Sequence, residues 1–446
     1  MHHLLANLIV YEKIKKDPVL TALADISRAV DESLNDPEGH PLEADRLRAA
    51  AFDQVHQIMV TATNYGFENN LWQAYIAFLL MTDENPLALV SEKKGLPLGS
   101  ASFFAMKDYA VLMKLMHYDF TELENALGTD VFTVLNHYQS IRKHERMYYS
   151  YISRVVNDLT IKLSAADTPE AFSDAVSAFY LDYGVGMFGL NKAFRLSNHA
   201  DGTPELIPIN NLDTVNYDDL VGYEYQKKLV QDNTQAFIDG KAANNVLLYG
   251  DAGTGKSTTV KATLNEFYPQ GLRLIEIYKH QFKDLSYVIS AVKTRNYKFL
   301  IYMDDLSFED FEIEYKYLKA VIEGGFETRP DNILIYATSN RRHLIRETSS
   351  DRNDVGQGTE DVHHSDTMEE KLSLVDRFGL SILYTKPSFE EYHEIVRRLA
   401  AKYRIDIPEK ELIQKANAWS VGRGGHTGRV AQQFINSLNP SISGKS

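Results

Sequence analysis

Residues 247–260 read LLYGDAGTGKSTTV. An apolar run stops at Gly250, further glycines follow at 253 and 255, and Lys256-Ser257 open a segment of helical character. From Gly250 to Ser257 the chain fits G-x-x-x-x-G-K-[ST] in full. This spacing has a definite chemistry. Glycines let the backbone turn so that successive N–H groups point inward at phosphate oxygens. The helix that starts at Lys256 adds the positive end of its dipole. The Lys256 ammonium can reach the β and γ phosphates, and the Ser257 hydroxyl can fill a coordination place on Mg²⁺. Gly250, Ala252, Gly253, Thr254, Gly255, Lys256, Ser257 and Thr258 are therefore the expected nucleotide-binding residues.

A second group of reactive side chains closes an apolar run, KFLIYMDD (298–305). At the carboxyl end of a buried parallel strand, side chains face the ligand crevice. Asp304 is expected to hold Mg²⁺ through water, and Asp305 to orient and polarise an attacking water. The second acid of such a pair is often Glu, and Asp is one methylene shorter, which argues for slow turnover or a contribution from Glu309. His363-His364 sit in an acidic stretch with no third and fourth ligand at ordered spacing, so they read as solvated histidines. No G-x-S-x-G elbow exists to organise a hydrolytic triad.

These residues need elements to hold them. From about residue 221, short apolar runs alternate with helical patterns: NVLLYG, KSTTVKATLNEFY, LRLIEIY, LSYVISAVKTR, KFLIYMD, FEIEYKYLKAVIEG and ILIYATS. Strand–helix alternation predicts a parallel sheet covered on both faces, an α/β domain over 221–386. A final strand SILYTK (381–386) precedes three helical patterns, a small helical lid over 387–446. Residues 347–367 are polar, acidic and aperiodic, as in a mobile loop. Residues 201–220, rich in Pro, Asn and Asp, read as a linker. Residues 1–200 carry apolar residues at three-and-four spacing and recurrent aromatics such as MYYSYI (147–152), a mostly α-helical N-terminal domain with no catalytic constellation.

Composition narrows the setting. Of 446 residues 44% are hydrophobic and 24% charged, enough for two or three domains with cores of their own. There is no cysteine, which excludes disulfides and thiolate metal sites and fits a reducing cytoplasm. The start MHHLLANLIVYEKIKK lacks a basic leader and cleavage site, and no apolar run is long enough to span a bilayer. Net charge is −14, shared as −8 in residues 1–200 and −6 in the rest. An acidic surface repels phosphate backbones, so nucleic acid is not the expected partner, and a DNA-acting loader is the disfavoured alternative.

The strand (272–278) between the phosphate loop and the acid strand resembles the ATPase branch in which a further strand inserts between those two. That inserted strand is ILIYATSN (333–340), and Asn340 at its tip could bridge attacking water and phosphate. The chain resembles an AAA+ ATPase through LVGYEYQKKL (220–229), the phosphate loop, MDDLSFED (303–310), ATSNRRHL (337–344), LSLVDRFGL (372–380) and GGHTGRVAQQF (424–434). Over about 215–437 it is similar to a bacterial AAA+ family known only as ATP-binding and of unknown function. The resemblance implies a three-layer domain with a lid, ATP and Mg²⁺ as ligands, hydrolysis to ADP and phosphate, and association of subunits in a ring or open arc. It puts Val221 and Gly222 by the adenine. It makes Arg377 an arginine finger reaching a neighbouring subunit's nucleotide, with Arg329 and Arg352 as rivals, and Arg429 a lid arginine on the nucleotide of its own chain. The N-terminal half would carry motion to an unknown protein partner. The alternative is a nucleotide-switched loader or adaptor with little or no turnover.

Overall fold

The structure is a computed structural model. It describes residues 1–35, 43–95, 99–139, 150–199, 201–209, 212–306, 317–318, 322, 330–340, 377–423 and 425–438. The expected loop 347–367, Glu309, His363-His364, Arg329 and Arg352 all lie outside them. The chain divides into two compact units, Met1–Asn191 and Lys192–Ser446.

The first unit is built from helices, and its sequence marks where they begin. Asp17, Asn70, Asn85 and Thr168 each accept the backbone N–H three residues on, opening the helices Pro18–Leu34, Leu71–Thr82, Pro86–Lys94 and Pro169–Tyr183. Three of the four have proline in the first turn, where its missing N–H costs nothing. The aromatics are core. Trp72 is buried and donates from its indole nitrogen to the Leu115 carbonyl at 2.7 Å. Phe120 stacks on Phe132 at 4.4 Å. The buried Asp108 carboxylate accepts the backbone N–H groups of Ile9, Val10 and Tyr11. A carboxylate so deep in a core is tolerable because those bonds replace its water.

The second unit centres on a seven-stranded sheet: β1 (Ala193–Asn198), β2 (Pro204–Pro208), β3 (Val246–Gly250), β4 (Leu272–Glu276), β5 (Lys298–Met303), β6 (Ile333–Ser339) and β7 (Leu380–Tyr384). The order across it is β2-β1-β4-β5-β6-β3-β7. Only the β1–β2 pair is antiparallel. Every residue of β6 is buried, as expected for a central strand covered on both faces. One face packs Val246, Leu248, Leu300, Leu334 and Tyr336 against Val230 and Phe237 of the helix Glu224–Ile238 and Val260 and Leu264 of the helix Lys256–Phe267. The lid helices Phe389–Lys402, Glu409–Val421 and Gly428–Leu438 enclose a small core of their own around Tyr392, Val396, Leu412 and Phe434.

The reading of 201–220 as a linker needs correction. Pro204–Pro208 is a strand at the sheet edge, and β1, within the expected helical half, joins β4 in parallel. Prolines bracket PELIP and only Leu206 is buried, so the segment looks like linker in sequence. An edge strand tolerates proline because one side of its backbone has no ladder to complete.

The buried Tyr336 hydroxyl bonds Thr234 Oγ1 at 2.7 Å and accepts Asn233 Nδ2 at 3.2 Å. Tyr336→Phe removes both bonds without changing packing and should cost about 1–2 kcal/mol. Denaturant unfolding of the full chain, read on the transition of the second unit, checks this.

Candidate functional site

Phosphate-loop geometry begins with backbone that only glycine adopts readily. Gly250 has φ 130°, Gly253 76° and Gly255 96°. At Gly250 a Cβ would lie 2.0 Å from the Tyr384 carbonyl oxygen of β7, a backbone atom that cannot move aside alone. The loop is fixed further by Asp251, whose N–H donates to the Tyr384 carbonyl at 3.0 Å and whose carboxylate accepts the Lys386 N–H at 3.0 Å. The loop is thereby tied to the point where β7 leads into the lid. Thr254 is buried and donates to the Asp251 carbonyl at 2.8 Å, closing the turn from inside. Ala252 is exposed at the loop's tip, and Thr258 is half-buried in the first turn of the following helix.

Lys256 is 6% exposed. Its ammonium donates to the carbonyls of Gly250 (3.1 Å) and Asp251 (2.7 Å) and to Asn340 Oδ1 (3.0 Å), one partner for each hydrogen. Burial pulls its pKa below the ordinary lysine value, and the charges of Asp251, Asp305 and Asp304 oppose that shift. Arg429 acts on it in the same sense as burial, so its charge lies nearby.

The strand-end acids differ in their surroundings. Asp304 Oδ1 accepts from Ser257 Oγ (2.8 Å), Tyr302 Oη (2.7 Å) and Thr338 Oγ1 (2.6 Å). Burial alone raises the Asp304 pKa, but these donors together hold it below the usual carboxylate value. Tyr302 moves the opposite way, raised by burial and by the adjacent carboxylate. Asp305 sits at φ 51° and accepts Asn340 Nδ2 at 2.6 Å. Asn340 thus bridges Lys256 and Asp305, with its carbonyl toward one and its amide toward the other. Ser257 gives its hydrogen to Asp304 and keeps its lone pairs. That donor set, one hydroxyl oxygen and one ionised carboxylate, suits Mg²⁺, which takes few protein ligands and fills the rest with phosphates and water. Among the described residues no cluster of three His, Asp or Glu offers a fuller cage.

The other expected residues divide into two groups. Leu220 packs within 2.8 Å of a Cβ placed on Gly255, so Val221 and Gly222 follow directly from the loop's flank. Gly222, at φ 76°, faces Glu391 of the first lid helix, 2.8 Å from the site of a Cβ. A Cβ on Gly253 would lie 3.1 Å from Arg429 Cβ and from Thr427 Oγ1, so the start of the last lid helix lies on the loop. Arg377 is not brought to this place. It precedes β7 by three residues, and Leu380 pairs with Val246 while Tyr384 pairs with Gly250. The length of β7, about 13 Å at 3.3 Å per residue, lies between the start of that strand and the phosphate loop.

Tyr302, Thr338 and Asp251 were not singled out by motif. Each occupies a position that the patterns leave variable, and only strand pairing reveals its partner. The β5–β6 register sets Tyr302 opposite Tyr336 and Met303 opposite Ala337, which carries Thr338 to the acids.

A phosphate-loop strand flanked by β6 and β7, with β6 inserted ahead of the acid strand and a helical lid after β7, defines an AAA+ nucleotide-binding fold. A family model described as "Protein of unknown function (DUF815)" matches residues 190–442, more than half the chain. The chain belongs to that family. Comparison with curated proteins finds no match. Among solved structures the chain is similar to the Thermotoga maritima RuvB Holliday junction branch migration motor, at 18% identity and a TM-score of 0.36, covering 51% of this chain. It spans 65% of the length of that motor chain. It is also similar to a FIGL-1 AAA domain in complex with ADP, at 18% identity and a TM-score of 0.37, covering 53% of this chain and 76% of that one. Likeness at this level says nothing of activity. Among the described residues no helix is long and apolar enough to cross a membrane.

Gly250→Ala should destabilise the second unit by about 1–3 kcal/mol, the range for a strained backbone position, since both its φ and the Tyr384 carbonyl oppose a side chain. A thermal shift of the full-length variant against wild type measures it.

Proposed function

We propose that the protein binds ATP with Mg²⁺ and hydrolyses it to ADP and phosphate, in a homo-oligomer whose nucleotide state moves the lid. The observation that carries this reading is the buried Lys256 ammonium. It sits among the glycine turns, within one hydrogen bond of Asn340 and one residue from the Ser257–Asp304 pair. A triphosphate's γ oxygens would take up the Lys256 charge in place of loop carbonyls, which are weaker acceptors for an ammonium. Mg²⁺ held at Ser257 and Asp304 would supply charge neutralisation on the β and γ oxygens. Asp305 would orient the attacking water and receive its proton, with Asn340 beside it. The water oxygen bonds to the γ phosphorus as the bond to the β-bridging oxygen breaks, and ADP leaves with that electron pair.

Val221 and Gly222 would border the base and Arg429 the phosphates, a reading supported by their closeness to the loop and the first lid helix. Arg377 would act on the nucleotide of an adjacent subunit. Its position at the far end of β7 supports supply between subunits, and such a finger requires an oligomer. The helical unit 1–191 would carry the lid's motion to a protein partner in the cytoplasm.

A second reading, an adaptor switched by bound ATP without turnover, draws on one observation. Asp305 is the shorter acid, and Asn340 Nδ2 holds its carboxylate at 2.6 Å.

Phosphate release separates the two. Wild type should turn over, and Asp305→Asn should lower the rate about 10²–10⁴-fold, the scale of general-base loss. Lys256→Ala should weaken ATP binding about 10- to 100-fold, equivalent to the roughly 1.5–3 kcal/mol of a charged hydrogen bond. ATP binding by wild type with no phosphate released would favour the adaptor; no ATP binding at all would end both readings. For the finger, Arg377→Ala mixed with Asp305→Asn should regain activity that neither shows alone, because each supplies what the other lacks. No regain on mixing would remove Arg377 from that role.

A further inference from the structure

One hydroxyl touches both strand-end acids. Thr338 lies two residues before Asn340 on β6, the strand that separates β5 from β3. Its Oγ1 donates to Asp304 Oδ1 at 2.6 Å and accepts the Asp305 N–H at 2.9 Å. Its carbonyl accepts the Leu306 N–H at 2.6 Å. The residue is 2% exposed, so water has little access to replace these bonds.

Each bond answers a specific need. Asp305 has φ 51°, a left-handed conformation that most L-residues avoid and that Asp, with its short polar side chain, tolerates better than most. The Thr338 hydroxyl and carbonyl grip the N–H groups of Asp305 and Leu306, one on either side of that residue's own backbone, and so fix the turn. The same hydroxyl hydrogen points to Asp304. The side-chain donors Ser257, Tyr302 and Thr338 all meet on Oδ1 of Asp304. A hydroxyl can do both jobs because it is donor and acceptor at once. Valine has the same shape and can do neither; serine can do both.

We propose that Thr338 is a positioning residue that sets the metal-binding acid and the water-orienting acid together, through one oxygen atom. This rests on the ATPase reading above. It adds a coupling, since removing that oxygen releases Asp304 and Asp305 at the same time while leaving the phosphate loop and Lys256 intact.

The test uses full-length protein carrying Thr338→Val or Thr338→Ser, with a fluorescent ATP analogue titrated with and without Mg²⁺. Residues that hydrogen-bond a metal ligand are typically worth about 10- to 100-fold in metal affinity or activity. Thr338→Val should therefore raise the Mg²⁺ concentration at half effect about tenfold or more and lower kcat by a similar factor. Nucleotide affinity without Mg²⁺ should stay within about twofold, because Lys256 and the loop amides make those contacts. Thr338→Ser should restore both quantities. Equal Mg²⁺ dependence in wild type and Thr338→Val would overturn the proposal. So would loss of Mg²⁺-free binding in Thr338→Val, or failure of Thr338→Ser to rescue, since either would mark a packing role. If wild type binds nucleotide but releases no phosphate, the hydrolytic reading fails. The Mg²⁺ titration still decides whether Thr338 sets Asp304.

Discussion

The Lys256 side-chain nitrogen lies in a place that water scarcely reaches. Its three hydrogens are satisfied by two carbonyls of the phosphate loop and by Asn340. A buried ammonium without such partners would lose its proton or unfold its surroundings. The loop must therefore turn its carbonyls and amides toward one point, and that requirement explains its glycines. It also explains why β6 has to stand next to β3. Without the inserted strand Asn340 would not reach the ammonium, and the acids of β5 would lie one strand nearer the loop.

The same corner is bound to the lid from two sides. Asp251 grips the N–H of Lys386 where β7 gives way to the lid, and the start of the Gly428–Leu438 helix lies on Gly253. Gly222 meets Glu391 of the first lid helix. Glycine at 250, 222 and 253 lets three chain segments approach within van der Waals reach. Asp251 ties the loop to β7 and to the start of the lid with two hydrogen bonds of 3.0 Å, one from its own N–H and one to its carboxylate.

The site is also graded in charge. Hydrogen-bond donors hold the Asp304 pKa below the usual carboxylate value, while burial and the adjacent carboxylate raise that of Tyr302. Ser257, Tyr302 and Thr338 are uncharged and polar, so they stabilise a carboxylate without cancelling its attraction for a cation. Arg429 approaches Lys256 with like charge. Two cations brought together in one recess raise its attraction for a polyanion, at some cost to the protein alone.

Much of this was legible in the sequence because it is written in local pattern. The G-x-x-x-x-G-K-[ST] spacing, the apolar runs at 246–250, 298–303 and 333–339 and the proline and cap signals of the helices need only neighbours a few residues away. The lid helices fall where Ser388, Pro408 and Gly428 announce them. The edge strand Pro204–Pro208 was hidden because its composition is that of a loop, and only pairing with β1 makes it a strand. Thr338 and Tyr302 were hidden for a related reason. In sequence they are two more polar positions in β-rich runs, and nothing local distinguishes a hydroxyl that meets a carboxylate from one that meets solvent. The sequence by itself determined the kinds of element and the glycine and lysine spacing of one turn, since backbone propensity and spacing act over a few residues. Only the tertiary structure decided which strand lies between which, and so which hydroxyls converge on Asp304, because hydrogen-bond partners 34 and 47 residues apart along the chain are set by sheet register and helix packing.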